Sequence, residues 1–294
     1  MNGENAVHVP VMIRETLFYL EPQPGEVIAD CTIGAGGHAI EIVKAISPGG
    51  RLIGIDRDAE VLAVAQKNLA GWAGSFELHH ASFADLGRIL PGPVDGLLFD
   101  LGVSSLQLDR PERGFSFQAQ GPLDMRMDPS RGQPAYEVLR RLPEDELARV
   151  IFELGEERFS RRIARAIKAN TRGGGLRTTA ELAELIARTV PRREGRIHPA
   201  TRTFQALRIY VNRELEELTA ALDSLPDVLK PGGRAVVISY HSLEDRIAKH
   251  AFRRLRELGI VELLTKKPVR PGQDEVDRNR RSRSAKLRAV RKTD

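Results

Sequence analysis

The chain has 294 residues, enough for one large domain or two, and 41% of them are hydrophobic, which supports a buried core. No apolar run reaches the roughly eighteen residues of a spanning helix, so no membrane association is expected. One cysteine excludes an intramolecular disulfide and a thiolate-rich metal site. The start, Met1-Asn-Gly-Glu-Asn5, is neither basic nor apolar and reads as no secretory signal, which makes the cytoplasm the expected compartment. Net charge is +5, unevenly placed. Residues 266–294 hold eleven Lys/Arg and four Asp/Glu, a net of +7, so the remainder carries −2. That basic end suits a polyanion such as nucleic acid, with a solvated tail as the equal alternative.

In chain order, residues 13–20 predict a short helix and 27–31 a first strand. A glycine turn with Gly34, Gly36 and Gly37 follows, then a helical pattern over 39–46. Residues 51–56 predict a second strand and 58–69 a helix opened by Asp58. A third strand spans 76–80, a short helix 83–90, and a fourth strand 94–100. Strands alternating with helices imply a parallel sheet with right-handed crossovers. The alternation then breaks. Residues 101–134 are rich in Gly, Pro, Asp and Arg and read as loop. Helices are predicted over 143–155 and 156–170, the latter stopped by Gly173-Gly-Gly175. Thr178-x-x-Glu181 is a capping box for a third, ending before Pro191. This block reads as a helical insertion. The α/β pattern resumes at Thr203 with a long helix to about 229, a turn at 230–233 and a fifth strand over 234–239. A helix over 243–258 and a strand pair, 260–264 with 286–290, complete the chain.

Strand, glycine turn and helix form the entry to a nucleotide-type cofactor site. Gly34-x-Gly36-x-x-Ala39 fits a dinucleotide fingerprint, and a plain tight turn is the alternative. The ligand is NAD or S-adenosylmethionine. Asp30, just ahead of the turn, would repel a pyrophosphate but suits an ammonium and a sulfonium, which tilts the choice to S-adenosylmethionine. A side chain bonded to nearby backbone N–H groups is the alternative role for Asp30. Asp56 ends the second strand and suits the ribose hydroxyls, unless it caps the next helix. Phe83 can pack on an adenine or simply in the core. His38 opens the cofactor helix, and none of the seven histidines has metal-ligand spacing, so no metal is expected. Cys31 reads as a small buried hydrophobe, which argues against methylation through a cysteine adduct. His241 follows the fifth strand, with Ser242 read as the cap of the next helix. Asp100 lies past the fourth strand, where the transferring group of a bound donor would point. There an acceptor can bond the hydrogen of an exocyclic amine and favour attack by its lone pair. Bracing the loop is its alternative role.

From Asp100-Leu-Gly-Val-Ser-Ser-x-Gln-Leu-Asp109 onward the motifs become specific. Arg113-Gly-Phe-Ser-Phe117, Gly121-Pro-Leu-Asp-Met-Arg-Met-Asp128 and Gly155-Glu-Glu-Arg158 follow. His198-Pro-Ala-Thr-Arg-Thr-Phe-Gln-Ala-Leu-Arg208 and His241-Ser-Leu-Glu-Asp-Arg246 complete the set. In this order they resemble the ribosomal RNA small subunit methyltransferase H family, the bacterial cytosine-N4 enzymes, from His8 to about Arg288. The resemblance implies an α/β fold of the class I S-adenosylmethionine-dependent methyltransferases, Rossmann-like and mainly parallel, with an inserted helical domain. It implies N4-methylation of a P-site cytosine in 16S rRNA of the 30S subunit. It places the cofactor on Gly36, Gly37, His38, Asp56, Phe83, Asp100 and Gln107, with Asp100 also catalytic. The family's tail has proline where Asn279-Arg-Arg-Ser-Arg-Ser284 has Arg280.

The layout expected is a methyltransferase domain over 1–107, a substrate-recognising helical insertion over 108–200, and the rest of the methyltransferase domain with the basic segment over 201–294. Arg113, Arg126, Arg131, Arg202 and Arg208 are candidate phosphate contacts, with salt bridging to nearby acids as the alternative for each. The competing readings are an NAD-dependent oxidoreductase and an RNA-binding protein that keeps the fold without activity. Whether the enzyme forms a homodimer, and whether naked rRNA or the 30S particle is its substrate, stay open.

Overall fold

A computed structural model describes residues 10–171, 175–191 and 198–294. His8, Gly173 and Gly174, used in the reading above, lie outside the described residues. The first half runs α1 (Ile13–Leu20), β1 (Val27–Asp30), α2 (Gly37–Ile46), β2 (Arg51–Asp56), α3 (Ala59–Asn68), β3 (Phe76–His80), α4 (Leu86–Ile89) and β4 (Val94–Asp100). Helices α5 (Ser105–Asp109), α6 (Ala135–Arg141), α7 (Glu144–Gly155), α8 (Ser160–Thr171), α9 (Thr179–Thr189) and α10 (Thr201–Asn212) follow. The last part holds α11 (Glu214–Asp223), α12 (Leu225–Val228), β5 (Leu229–Ser239), α13 (Ser242–Glu257), β6 (Val261–Leu263), α14 (Gln273–Arg278) and β7 (Lys286–Lys292). By contacts the chain divides into two compact units: residues 10–104 with Leu215–Asp294, and Ser105–Glu214.

The first unit is built on one sheet in the order β3-β2-β1-β4-β5-β7-β6. Strands β3, β2, β1, β4 and β5 are parallel, and β7 runs antiparallel to both β5 and β6. Strand order reverses between β1 and β4, so the crevice past their carboxyl ends is the switch point where such sheets bind ligands. Alternate residues along each strand feed different cores, because side chains in a strand point to opposite faces. Ala29, Ile53, Leu97, Phe99 and Val237 pack into one cluster, and Ile28, Leu52, Leu98, Val236 and Ile238 into the other. Burial on both faces explains why these strands read as continuous apolar runs. A side chain at Gly54 would meet Ile33 Cδ1 at 2.2 Å, so this glycine lets the turn after β1 pack onto β2. Arg234, buried in β5, donates to the carbonyls of Leu20 and Glu21 and pairs with Glu26, tying the end of α1 to the sheet. No described helix is long and apolar enough to cross a membrane.

The C-terminal basic segment is not a free tail. Strand β7 lies between β5 and β6, with Leu287, Ala289 and Val290 fully buried. Lys286 and Arg288 pair with Asp245, Arg291 with Glu21 and Glu262, and Lys292 donates to the carbonyls of Pro226 and Leu229. The exposed cations are Lys266, Lys267, Arg270, Arg278, Arg280, Arg281 and Arg283, all in the crossing from β6 to β7.

In the second unit α7 packs against α8 and α10. The approach is close: a side chain at Gly155 would meet the Arg202 carbonyl at 2.5 Å. Asn212 clamps the preceding loop, its amide donating to the Met125 carbonyl and its oxygen accepting from Met127 N. Several arginines read as phosphate contacts are committed here instead. Arg113 is buried and donates to the carbonyls of Arg126 and Met127. Arg126 holds Asp124 through two nitrogens, and Arg208 holds Glu214 in the same way. Arg202 donates to the Glu156 carbonyl. Arg131 stays exposed, 3.5 Å from Asp128.

Two other expectations are revised. The long helix predicted from Thr203 breaks at Arg213, which takes a left-handed conformation at φ 53°. His241 rather than Ser242 caps α13, its ring accepting from Glu244 N while Glu244 reaches back.

Candidate active site

The turn after β1 bends through left-handed backbone at Gly34 (φ 55°) and Gly36 (φ 89°), conformations that glycine adopts without steric cost. The turn is fastened to three neighbours. Gly34 N donates to Asp56 Oδ2 at 3.1 Å. Asn68 Nδ2 of α3 donates to the Ala35 carbonyl at 2.8 Å. Asp100 N donates to Thr32 Oγ1 at 2.6 Å. The ends of β1, β2 and β4 are thereby locked to one another. Gly37 lies under Pro10, where an added Cβ would come within 3.3 Å of the proline ring.

Asp56 Oδ1 also accepts from Asp58 N, and Asp58 is the cap of α3, accepting from Glu60 N and Val61 N. The capping alternative for Asp56 is thus filled by Asp58. Asp30 is 1% exposed, and its Oδ1 accepts from Thr32 N at 3.2 Å. Burial, with further repulsion from Asp100 and Asp56, pushes its pKa up to about 8. Burial likewise raises Asp56 to about 6, against the pull of the Asp58 and Gly34 N–H groups. Cys31 is fully buried beside them, with its thiol pushed well above the usual value by the same desolvation, as a structural cysteine should be.

Asp100 is met from two sides. Tyr240 Oη donates to its Oδ1 at 2.7 Å. His38 Nδ1 lies 3.7 Å from its Oδ2. His38 Nε2 donates to the Val11 carbonyl at 3.0 Å, and desolvation lowers the ring's pKa to about 4. The imidazole is therefore neutral near pH 7, with its hydrogen on Nε2 and a lone pair on Nδ1. Phe83 is half-buried and packs edge-on against Phe99 at 5.8 Å. Of the seven cofactor positions expected, Gly36, Gly37, His38, Asp56, Phe83 and Asp100 belong to the first unit, at or beside the carboxyl ends of β1 to β4. Gln107 is buried on α5 of the second unit. Tyr240 directly follows the predicted fifth strand and so belongs with the strand-end residues where ligands bind, though the sequence gives it no role; Thr32, within the glycine turn, is not singled out.

The donor set suits a cation. Asp56 and Asp100, with the neutral imidazole of His38, offer acceptors at the switch point, and Asp30, which holds its proton below about pH 8, can ionise beside a bound cation. A pyrophosphate would meet carboxylates there, whereas the ammonium and sulfonium of S-adenosylmethionine find complementary partners.

Sheet order, switch-point turn and acceptor-lined crevice define a class I methyltransferase that uses S-adenosylmethionine. The profile of the MraW methylase family matches residues 5–293. A protein from Acidobacterium capsulatum named ribosomal RNA small subunit methyltransferase H is 50% identical, over 98% of this chain and 99% of its own. Its namesake from Sorangium cellulosum is 52% identical, over 97% and 90%. A crystal structure of a Clostridium thermocellum protein, described as a candidate rRNA methylase, shares the fold at a TM-score of 0.50 and 11% identity, covering 98% and 99% of the two chains. The chain belongs to the MraW methylase family and is a methyltransferase. The oxidoreductase and inactive RNA-binder readings give way to this assignment.

Proposed function

We propose that the enzyme transfers a methyl group to N4 of a P-site cytosine in 16S rRNA of the 30S subunit. The observation that carries this reading is Asp100, held by Thr32 and Tyr240 at the switch point beside the glycine turn. Relatives of about half identity, bearing the small-subunit rRNA methyltransferase name along nearly the whole chain, support the substrate class. The bound donor supplies an electrophilic methyl on sulfur for in-line displacement, which demands positioning more than acid–base power.

The residues divide the work. Asp56, oriented by Gly34 N and Asp58 N, accepts the ribose hydroxyls with its remaining lone pairs. Phe83, backed by Phe99, offers a face to the adenine. Gly36 and Gly37 let the backbone come close. His38 Nδ1 and Asp100 Oδ2 accept from the ammonium. The Asp100 carboxylate accepts from the cytosine amine, whose nitrogen is then turned towards the methyl. Residues 108–200 serve substrate recognition, and the target base leaves its stack to reach the donor. The test is methyl transfer onto 30S particles and onto naked 16S rRNA, followed by nucleoside analysis. N4-methylcytidine is expected, and a carbon- or ribose-methylated product refutes the assignment.

The basic crossing from β6 to β7 is the proposed contact for RNA phosphates. It returns to the sheet at Lys286, which pairs with Ser239 at the carboxyl end of β5, on the edge that carries the glycine turn. Deleting residues 266–294 would remove β7 from the sheet, so exposed side chains are the better probe. Changing Lys266, Lys267, Arg270 and Arg283 to serine is expected to weaken RNA binding most at low salt. It should flatten the slope of log affinity against log salt by roughly 0.7 per lost phosphate contact. An unchanged slope in a salt titration removes this segment from the interface.

A further inference from the structure

We propose that Tyr240 is a positioning residue for the methyl donor, its hydroxyl fixing the rotation of the Asp100 carboxylate so that Oδ2 faces His38 and receives the donor's ammonium. The inference rests on the proposed role of Asp100. A carboxylate turns easily about its last bond, where the energy wells are broad. At Asp100 the Tyr240 hydroxyl engages one oxygen at 2.7 Å, which leaves the other towards the N-terminus of α2. The phenol is a dependable donor. Burial, with the facing Asp100 carboxylate, holds its pKa well above the usual value, so it keeps its hydrogen at any working pH.

The tyrosine is itself held, through its main chain on one side and its ring on the other. Tyr240 N donates to Glu244 Oε2 at 2.8 Å, and His241 N donates to the same oxygen at 3.2 Å. Glu244 is 2% exposed, in the first turn of α13. At the other end the ring packs on Gly102. An added Cβ there would touch Tyr240 Cδ2 at 3.4 Å, and the backbone φ of 102° already favours glycine. The phenol therefore lies over the turn that follows Asp100, its own backbone anchored in a capping box.

The opposite side of the carboxylate shows what the rotation serves. Oδ2 and the lone pair of His38 Nδ1 are acceptors 3.7 Å apart. A donor placed between them or close to both can bond to each. An ammonium brings three N–H groups and a positive charge. A carboxylate rotated away from His38 would split this pair of acceptors. Tyr240 thus selects ligands that carry the amino-acid moiety and is indifferent to those without it.

The experiment compares S-adenosylhomocysteine with methylthioadenosine, which lacks the amino-acid arm, by calorimetry on the full-length protein. Tyr240→Phe keeps the ring on Gly102 and removes only the hydroxyl. It should weaken S-adenosylhomocysteine about tenfold, the scale of a lost hydrogen bond to a charged group, and leave methylthioadenosine unchanged. Equal loss for both ligands, no loss for either, or a variant that does not fold assigns the hydroxyl elsewhere and overturns the proposal. Asp100→Asn in the same assay separates the two levels of the argument. If it spares S-adenosylhomocysteine, Asp100 does not hold the ammonium and the underlying site assignment fails. If it selectively weakens that ligand while Tyr240→Phe does not, only the role of Tyr240 fails.

Discussion

Alanine at position 100 is expected to lower the rate of methyl transfer by about a hundred- to a thousand-fold at saturating donor, the scale of losing one preorganised polar group at a reacting centre. On the proposed mechanism the substitution removes the acceptor for the cytosine amine and half of the acceptor pair facing the ammonium. The fold should survive it. The main-chain bond from residue 100 to Thr32 does not involve the lost side chain, and repulsion on Asp30 is relieved. One cost is local: the Tyr240 hydroxyl, which donates to Asp100, is left in a largely buried site without that acceptor. The check is transfer of labelled methyl onto 30S particles beside a melting curve of the same preparation. Full activity with a normal melting curve removes Asp100 from the mechanism. Asparagine at this position keeps the shape and an acceptor oxygen but loses the charge. It should fall between alanine and the parent if hydrogen bonding to the amine matters, and match alanine if charge alone does.

The sheet was legible because its inner strands are buried on both faces, and three of them, β1, β2 and β4, end on acids. The runs ending at Asp56, His80 and Asp100 were placed to the residue. Capping chemistry was legible where it is written locally, as in Thr178 with Glu181. Helix breaks made by non-glycine residues were not. Glu156 and Arg213 adopt left-handed backbone, which their side chains do not announce, so α8 starts later and the helix from Thr201 ends earlier than periodicity suggests. Helix α6 was missed because it is short and follows a glycine- and proline-rich loop. At the site, the residues that bear charge or permit a turn could be named from the sequence. The bonds between distant neighbours could not. Thr32 accepts from the main-chain N of Asp100 and Tyr240 donates to its carboxylate, across 68 and 140 residues of chain. Arg126 and Arg208 follow the salt-bridging alternative, whereas the burial of Arg113 against the carbonyls of Arg126 and Met127 has no local signature.

Asparagine at position 30 is expected to make the protein more stable at pH 8 and its stability less dependent on pH. In the unfolded chain Asp30 ionises near its ordinary value of 3.8, while the folded protein keeps the proton until about pH 8. Between these values the folded state binds more protons than the unfolded one, so stability is fully present below the lower value and falls as pH rises to the upper. The slope from this one group is at most about 1.4 kcal/mol per pH unit. Asparagine fills the same space, can accept from Thr32 N, and does not titrate. Asp56, raised to about 6, leaves a residual slope at lower pH in the variant. Urea unfolding at pH 5 and pH 8 measures the difference. On the proposed reading the donor's positive charge lies near Asp30 and lowers its pKa, so the parent should release protons on binding S-adenosylmethionine near pH 7 and bind it more tightly as pH approaches 8. Calorimetry in two buffers of different ionisation heat reads that release directly. The asparagine variant should lose it along with part of the affinity. A variant no more stable than the parent at pH 8, with the same dependence of binding heat on buffer, would show that Asp30 is neither a strained carboxylate nor a partner of the donor's charge.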